Sequence, residues 1–204
     1  MKIALIGASG NAGTRLTNEL VSRGHQVTAI ARNADRIEKR DGVTPRSADV
    51  ADADGLAEAI KGHDVVISSV RFQDTDAEKL IGAVRKSGVP RYLVVGGAAS
   101  LYSPGTTQRL IDAPDFPDFI KVEATPGAHF LDLLKQEKEL DWTFLSPSMM
   151  FVPGERTGRF RLGKDELLVA EDGKSSISFE DFAIAMADEI ENPQHSRQRF
   201  TVGY

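Results

Sequence analysis

The order of apolar and helical segments predicts an α/β protein with a doubly wound parallel sheet. Short, mostly apolar runs such as KIALI (2–6) and DVVISSV (64–70) alternate with segments of helical periodicity. A glycine-rich stretch, LIGASGNAG (5–13), joins the first run to the first helical segment, as in the Rossmann fold. We therefore expect a single domain over residues 1–204, with a small C-terminal substrate lobe built from about residues 147–180.

The first half of the chain predicts five strands and three helices. Leu16 and Leu20 fall on one face of the first helix, and Gly24 follows that helix as a terminating glycine. The expected helices are 12–23, 52–62 and 75–89, and the expected strands are 2–6, 26–32, near 42–50, 64–70 and 91–100. Because βαβ crossovers are right-handed, these elements wind into a sheet with helices on both faces.

The second half is less regular. Residues 100–128 are rich in proline, glycine and aspartate, and we interpret them as a long surface excursion. Residues 158–178 are typical of a β-hairpin, with turns at Gly163-Lys164 and Asp172-Gly173. The remaining expected elements are helices over 129–140 and 179–192 and strands over 141–148 and 199–204.

The composition excludes several classes of function. A net charge of −5 argues against a nucleic-acid partner, and the chain has no cysteine and only four scattered histidines, so we expect no metal site. The first residues lack the apolar core of a signal peptide, and no apolar run approaches the roughly 20 residues of a membrane span. We expect a cytoplasmic monomer or homodimer without membrane contact.

The glycine-rich stretch predicts a dinucleotide site, because it follows a strand and opens a helix. Gly7 permits the sharp turn, Gly10 lets the backbone approach a pyrophosphate, and Gly13 allows the helix to pack closely on the sheet. The helical N–H groups that begin near Ala12 point at the phosphates, and the side chains of Ser9 and Asn11 can add hydrogen bonds. An ordinary tight turn is the alternative.

The end of the second strand favours NADP(H) over NAD(H). A site for NAD needs a carboxylate there, for the ribose 2′-hydroxyl. In AIARNADR the tip of the strand carries Arg32, and Arg36 follows one helical turn later. Two guanidinium groups suit a 2′-phosphate, whereas Asp35 is interpreted as a surface or capping residue. The alternative for both arginines is a solvated surface pair.

With these residues in view, the chain resembles the atypical short-chain dehydrogenases of the NAD(P)H-binding, NmrA-like type. It is most similar to NADH-flavin reductases and to the biliverdin-IXβ reductase branch. The resemblance covers essentially the whole chain and rests on six motifs: GASGNAG, ARNADR, SADVAD, VVGGAASL, LDWTFLSPS and LLVAEDGKSSISFEDFAIAMADEIENP.

The resemblance implies further cofactor-binding residues at the carboxyl ends of the strands. Asp49 and Val50 would bracket the adenine, with the Asp49 carboxylate accepting from its exocyclic amine. The residues implied along the ribose and pyrophosphate are Ser68, Ser69 and Val70, and those implied around the nicotinamide are Gly96, Gly97, Ala98, Pro147, Ser148 and Met149. Ser100 would occupy the place of the catalytic serine. For Ser68 and Ser69 the alternative is a pair of strand-end hydroxyls that satisfy the backbone.

The family's Tyr-x-x-x-Lys dyad is missing. Counting back along the family pattern places its two positions near Ala124 and Ala128, in the sequence ATPGA. Neither side chain can transfer a proton. The loss argues against alcohol or sugar oxidation and against epimerisation, which need an acid or base near neutral pH.

A flat aromatic acceptor would suit the apolar side chains expected near the nicotinamide. These candidate pocket residues are Phe72, Tyr102, Met149, Met150 and Phe151, and ordinary core or loop packing is their alternative. Tyr102 and His129 are candidate proton donors, although His129 opens the expected helix and is more typical of a surface or cap residue.

Three functions remain to be compared. The first is a reductase that transfers a hydride from NADP(H) to a flavin (FMN or FAD as substrate), a quinone or a similar acceptor, which can collect its proton from water. The second is a non-catalytic, redox-sensing regulator of the NmrA type, which the missing dyad favours equally. The third, a nucleotide-sugar epimerase or dehydratase, conflicts with that loss.

Overall fold

The structure is a computed structural model that describes residues 1–204. Its strands are β1 (Lys2–Ile6), β2 (Gln26–Ala31), β3 (Val43–Ser47), β4 (Val65–Ser68), β5 (Arg91–Val95), β6 (Asp141–Pro147), β7 (Met150–Val152), β8 (Arg161–Gly163), β9 (Ser176–Ser178) and β10 (Gln198–Gly203). Its helices are α1 (Asn11–Ser22), α2 (Ala53–Ile60), α3 (Ala77–Ser87), α4 (Asp118–Gln136) and α5 (Phe179–Glu191). None of these helices combines the length and the apolarity that a membrane span requires.

Eight strands form the main sheet in the order β3-β2-β1-β4-β5-β6-β10-β8. All pairs are parallel except β10 with β8 at one edge. The order reverses between β1 and β4, and at such a switch point the two strands leave a crevice at their carboxyl ends. The predicted doubly wound parallel sheet, the Rossmann fold, is confirmed.

Two apolar cores cover the faces of the sheet. Successive residues of β1 alternate between them: Ile3 and Leu5 pack with α1 and α5, whereas Ala4 and Ile6 pack with α2, α3 and α4. A strand buried on both faces has no polar side, which explains why KIALI and its counterparts are almost continuously apolar.

Side chains and glycines mark the ends of several helices. Asp52, Asp76 and Ser178 each accept a backbone N–H in the first turn of α2, α3 and α5, respectively. Gly24, after α1, and Gly88, after α3, have positive φ angles of 83° and 72°. These local signals agree with the helix boundaries predicted from the sequence.

The surface excursion expected over residues 100–128 is wrong for its last eleven residues. Helix α4 begins at Asp118 and runs through Pro126 and Gly127, two residues that normally interrupt helices. Gly127 lies against the ring of Phe72, where an added Cβ would be 2.9 Å from Cδ2. This long-range contact favours a helix where the local sequence favours a loop.

The hairpin expected over residues 158–178 is also wrong. β8 pairs antiparallel with β10, and β9 pairs parallel with β7 in a separate two-stranded sheet. Only the turn at Asp172-Gly173 is present, with the Gly173 N–H donating to Ala170. The strand predicted over 91–100 ends at Val95. There Gly96 lies so close to the Phe144 ring that a Cβ would be 2.7 Å from Cδ1.

Candidate functional site

The glycine-rich loop connects β1 to α1 at the carboxyl edge of the sheet. Gly7 has a φ of 83°, and its N–H donates to Ile30 of the neighbouring strand. Gly10 precedes α1 as its N-cap residue, and no side chain caps the helix there. The N–H groups of the first turn therefore lack protein partners and add to the positive end of the helix dipole.

The three glycines are required for different reasons. A Cβ on Gly7 would overlap the carbonyl oxygen of Ser69, and one on Gly13 would lie 2.9 Å from the Ala8 Cα. A Cβ on Gly10 would meet only the Gly7 carbonyl oxygen, at 3.3 Å. Gly7 and Gly13 thus serve the packing of the protein itself, whereas the bare backbone at Gly10 lines an open groove. This cradle fits a pyrophosphate.

The arginines expected at the adenine end are exposed. Arg32 directly follows β2, and Arg36 ends a short 3-10 turn that the side chain of Asn33 caps. Neither is among the arginines that form ion pairs, which are Arg15, Arg23, Arg85, Arg91, Arg109, Arg156 and Arg199. Asp35 is exposed and contributes only its N–H, which donates to Asn33.

The carboxylate of Asp49 is held in its own turn, two residues after β3. Its Oδ1 accepts the N–H of Ala51 at 2.9 Å, and Val50 beside it is half-buried. The second carboxylate oxygen makes no hydrogen bond within the protein. Adenine recognition by these two residues stays a prediction.

The prediction that the side chain of Ser68 lines the cofactor groove is wrong. Its hydroxyl is buried in the core on the face of the sheet that α2, α3 and α4 cover, and it lies 2.8 Å from the hydroxyl of Tyr92. Burial raises the pKa of the Tyr92 phenol far above its ordinary value, so this hydroxyl stays protonated. The next two residues, Ser69 and Val70, do line the groove, together with Gly10 and Asn11.

The groove continues into an apolar cavity. The groove encloses about 480 Å³ and the cavity about 460 Å³, and both are of a size that suits small-molecule ligands. Four residues line both spaces and mark their junction: Phe72, Gly96, Glu123 and Phe151. The site is thus one continuous depression that begins at the glycine-rich loop.

The cavity wall contains most of the residues expected around the nicotinamide and the acceptor. These are Phe72, Gly96, Gly97, Ala98, Ser100, Pro147, Ser148, Met149 and Phe151. Ser100 is buried, and the hydroxyl of Ser148 donates to the carbonyl of Val202 at 3.0 Å. The hydroxyl of Ser148 is therefore committed to β10 before any ligand arrives.

Ala124 and Ala128 lie one turn apart on α4, and both line the cavity. These are the positions at which the family resemblance places the missing Tyr-x-x-x-Lys dyad. The structure adds that their methyl groups form an apolar wall, with Gly127 between them. Neither position offers a proton donor to the cavity.

Tyr102 and Met150 do not line the cavity, which corrects the prediction that they do. The backbone of Tyr102 pairs with Asp165 and Leu167, and its ring lies 6.0 Å from the Arg199 guanidinium. Met150 begins β7 and is exposed. His129 is exposed on α4 and is likewise absent from the wall.

Glu123 is a further site residue, which the sequence pattern does not reveal. Its Oε1 accepts the N–H of Phe72 at 2.8 Å and its Oε2 accepts the N–H of Gln73 at 3.0 Å. The carboxylate therefore fixes the segment after β4 at the junction of groove and cavity. Recognising that a helix continues through Pro126 would have placed Glu123 one turn before Gly127, on the same face of α4.

The C-terminal segment that borders the cavity is anchored by Asp181. This fully buried carboxylate accepts the N–H groups of Thr157 and Gly158 and the hydroxyl of Tyr204. Burial alone would raise the pKa of Asp181, but these hydrogen bonds hold it below its ordinary value. Asp181, in the first turn of α5, thus ties the 157–158 segment and the residue after β10 to this helix.

The fold and the groove define a dinucleotide-binding protein of the Rossmann type. The sequence matches the NAD(P)H-binding family over residues 7–193, and the chain belongs to that family. The resemblance to atypical, NmrA-like short-chain dehydrogenases is confirmed, and the cofactor is a nicotinamide dinucleotide.

Similar proteins cover the whole chain. The "Uncharacterized protein YwnB" of Bacillus subtilis is 41% identical over 99% of this chain and 98% of its own. A crystal structure of a "putative epimerase" from Bacteroides thetaiotaomicron is 44% identical, with a TM-score of 0.93 over 100% of this chain and 96% of the other. A "putative NADH-flavin reductase" from Streptococcus pneumoniae is 37% identical, with a TM-score of 0.85 over 100% and 99%.

Proposed function

We propose that this chain is a reductase that uses NADPH in preference to NADH and passes a hydride to a flat acceptor such as a flavin or quinone. The observation that carries the proposal is the apolar cavity of about 460 Å³, continuous with the cofactor groove and without an acid at Ala124 or Ala128. The similar protein described as an NADH-flavin reductase supports the same type of acceptor.

In this proposal the glycine-rich loop and the end of β2 hold the cofactor. The free N–H groups at the start of α1 bind the pyrophosphate, and the exposed guanidiniums of Arg32 and Arg36 bind the 2′-phosphate. Asp49 and Val50 contact the adenine. When bound, NADPH supplies the hydride.

The cavity side chains orient the acceptor and exclude water. Phe72, Phe151 and the methyl groups of α4 present flat or small apolar surfaces, on which an aromatic ring can stack. Because Ala124 and Ala128 carry no proton donor at the positions of the missing dyad, the reduced acceptor takes its proton from solvent. Residues of about 147–180 form the acceptor-side lobe, which Asp181 holds against the main sheet.

A direct absorbance assay of cofactor oxidation tests whether the protein is a reductase. Purified protein is mixed with NADPH or NADH and then with riboflavin, FMN or a naphthoquinone, and loss of the near-ultraviolet absorbance of the reduced cofactor is followed. We expect acceptor-dependent oxidation of NADPH. Tight NADPH binding without turnover on any acceptor would contradict the proposal.

A matched pair of variants on α4 tests whether the cavity is the acceptor site. Ala128→Phe fills the cavity and should abolish turnover while NADPH still binds. Thr125→Phe adds the same ring on the exposed face of the helix and should leave turnover unchanged. Wild-type turnover by both variants would exclude the cavity as the acceptor site.

The second candidate is a non-catalytic, redox-sensing regulator. It is favoured by exposed apolar side chains on two segments that border the cavity: Phe119 (82% exposed), Val122 (62%) and Met149 (63%). Exposed apolar surface of this kind is typical of sites that bind another protein. The assay above separates the two candidates, because the regulator binds NADPH and turns over nothing.

A further inference from the structure

The charged side chains of the cavity are all of one sign. Of the residues that line it, only Asp115 and Glu123 are ionisable, and the wall contains no lysine, arginine or histidine. The remaining wall is mainly apolar, so it offers few dipoles to offset these charges. The cavity is therefore a negatively charged space with apolar walls.

The cations closest in sequence are bound to other carboxylates. Arg109 pairs with Asp112 and Asp132, and Lys121 pairs with Asp118. Asp115 itself makes no ion pair or side-chain hydrogen bond, whereas Glu123 accepts only backbone N–H groups. Neither charge in the wall is neutralised by an opposite charge.

Two sources of positive charge lie at the edges of this space. Arg71 lines the cofactor groove and not the cavity, so in the bound state it faces the dinucleotide. The N-terminus of α4 contributes a partial positive charge near Pro117, but Asp118 occupies its first turn and offsets it. The reduced nicotinamide ring is uncharged and does not compensate for the carboxylates.

We propose that Asp115 and Glu123 are specificity-determining residues that admit uncharged flat acceptors and reject acceptors with an anionic group on the ring. An anion in this cavity would lose part of its hydration and face two like charges, of which Glu123 is half-buried and Asp115 is exposed. A flavin enters by its uncharged ring, with any phosphate left outside. This inference rests on the proposed reductase function, because it concerns the acceptor of that reaction.

Lawsone and its methyl ether form a suitable pair of probes. Lawsone, a hydroxynaphthoquinone, is an anion at neutral pH, whereas the ether is neutral and larger by only one methyl group. Binding is measured at low salt to protein saturated with tetrahydro-NADP, whose ring is uncharged and cannot donate a hydride. We expect the wild-type protein to bind the ether at least about tenfold more tightly than lawsone, as two like charges predict.

The ratio of the two dissociation constants is then compared among variants. Asp115→Asn and Glu123→Gln should each reduce the ratio by about threefold or more, since each removes one charge from the wall. Glu171→Gln is the matched control, because it removes one negative charge from an exposed residue that lies outside the wall and forms no ion pair, and it should leave the ratio within about twofold. Asp115→Asn is decisive if Glu123→Gln fails to fold.

Two results would overturn the charge selection: equal affinity of wild-type protein for both probes, or an unchanged ratio in folded Asp115→Asn. Turnover of NADPH with the ether is measured separately and tests the reductase alone. Selective binding of the ether without turnover would uphold the selection and contradict the reductase. Turnover of the ether with equal binding of both probes would uphold the reductase and contradict the charge selection.

Discussion

The main sheet uses charge in opposite ways at its two ends: the amino edge, where the parallel strands begin, and the carboxyl edge, where they end. At the amino edge, where β5 and β6 begin, Arg91 pairs with Asp141 and with Glu189, and Glu189 also pairs with His195. At the carboxyl edge, Arg32 is exposed and has no ion-pair partner. The charges at the amino edge satisfy each other, whereas Arg32 at the carboxyl edge pairs with no other residue of the protein.

The backbone differs between the edges as well. At the carboxyl edge Gly7, Gly13 and Gly96 leave no room for a Cβ, so the chain is specified there by the absence of side chains. The side chains of Arg91 and Glu189, in contrast, are 9% and 3% exposed and fill the amino edge. Stability and binding are therefore separable in this sheet, and four substitutions can test that separation.

The largest effect is expected for Gly7→Ala, at the carboxyl edge. The alanine would have a φ near 83° and would overlap the Ser69 carbonyl, which together cost about 2–6 kcal/mol of unfolding free energy. The cradle would also move, so NADPH binding should become undetectable by calorimetry. Gly82→Ala is the control: nothing lies within 4 Å of its added Cβ in α3, and the change should be neutral or stabilising. Normal binding by Gly7→Ala would show that the loop is not the cradle.

Glu189→Ala should destabilise the amino edge without touching the cofactor. Glu189 accepts from the Nη2 of Arg91 at 2.8 Å and from the Nδ1 of His195 at 2.8 Å. Its loss removes one of the two carboxylates that pair with the buried Arg91 guanidinium, whose Nε already lacks a partner. We expect a loss of about 3–5 kcal/mol in denaturant unfolding and an unchanged NADPH dissociation constant. Glu171→Ala, on an exposed turn, should change stability by no more than about 0.5 kcal/mol. A large loss of cofactor affinity in Glu189→Ala would show that the two edges are coupled.

Arg32→Ala tests the free charge of the carboxyl edge. If this guanidinium holds the 2′-phosphate, the dissociation constant for NADPH rises about ten- to a hundredfold, and that for NADH stays the same. Arg159→Ala removes another exposed arginine, in the 153–160 segment, and should leave both constants unchanged. The NADPH preference is refuted if the ratio of the two constants is the same in Arg32→Ala and the wild-type protein.

The sequence predicts the carboxyl edge better than the acceptor side, and the reason is physical. The glycine-rich loop, the strands of the first half and the end of α1 at Gly24 depend on neighbouring residues, so their patterns are local. Helix α4 depends instead on a long-range contact of Gly127 with Phe72, which no local pattern contains. The error at α4 also hid Glu123, since a loop over 118–128 gives that carboxylate no defined direction.

Strand pairing in the C-terminal segment was beyond prediction for a similar reason. β8 is only three residues long, and its partner β10 lies more than thirty residues further along the chain. Two turn signals within 158–178 favour a local hairpin, but the edge of the main sheet offers β8 a partner that is already ordered. Short strands carry too little pattern to identify such a partner.

Ser68→Ala should have the smallest effect and tests the one cofactor residue that the structure reassigns. Loss of its hydroxyl leaves the buried Tyr92 hydroxyl without a partner and should cost about 1–2 kcal/mol, with no change in NADPH affinity. Combining it with Tyr92→Phe removes both polar groups, so the double variant should be more stable than Ser68→Ala alone. Weaker NADPH binding by Ser68→Ala would show that this hydroxyl contributes to the cofactor groove after all. The cycle therefore decides whether Ser68 belongs to the core or to the binding edge of the same strand.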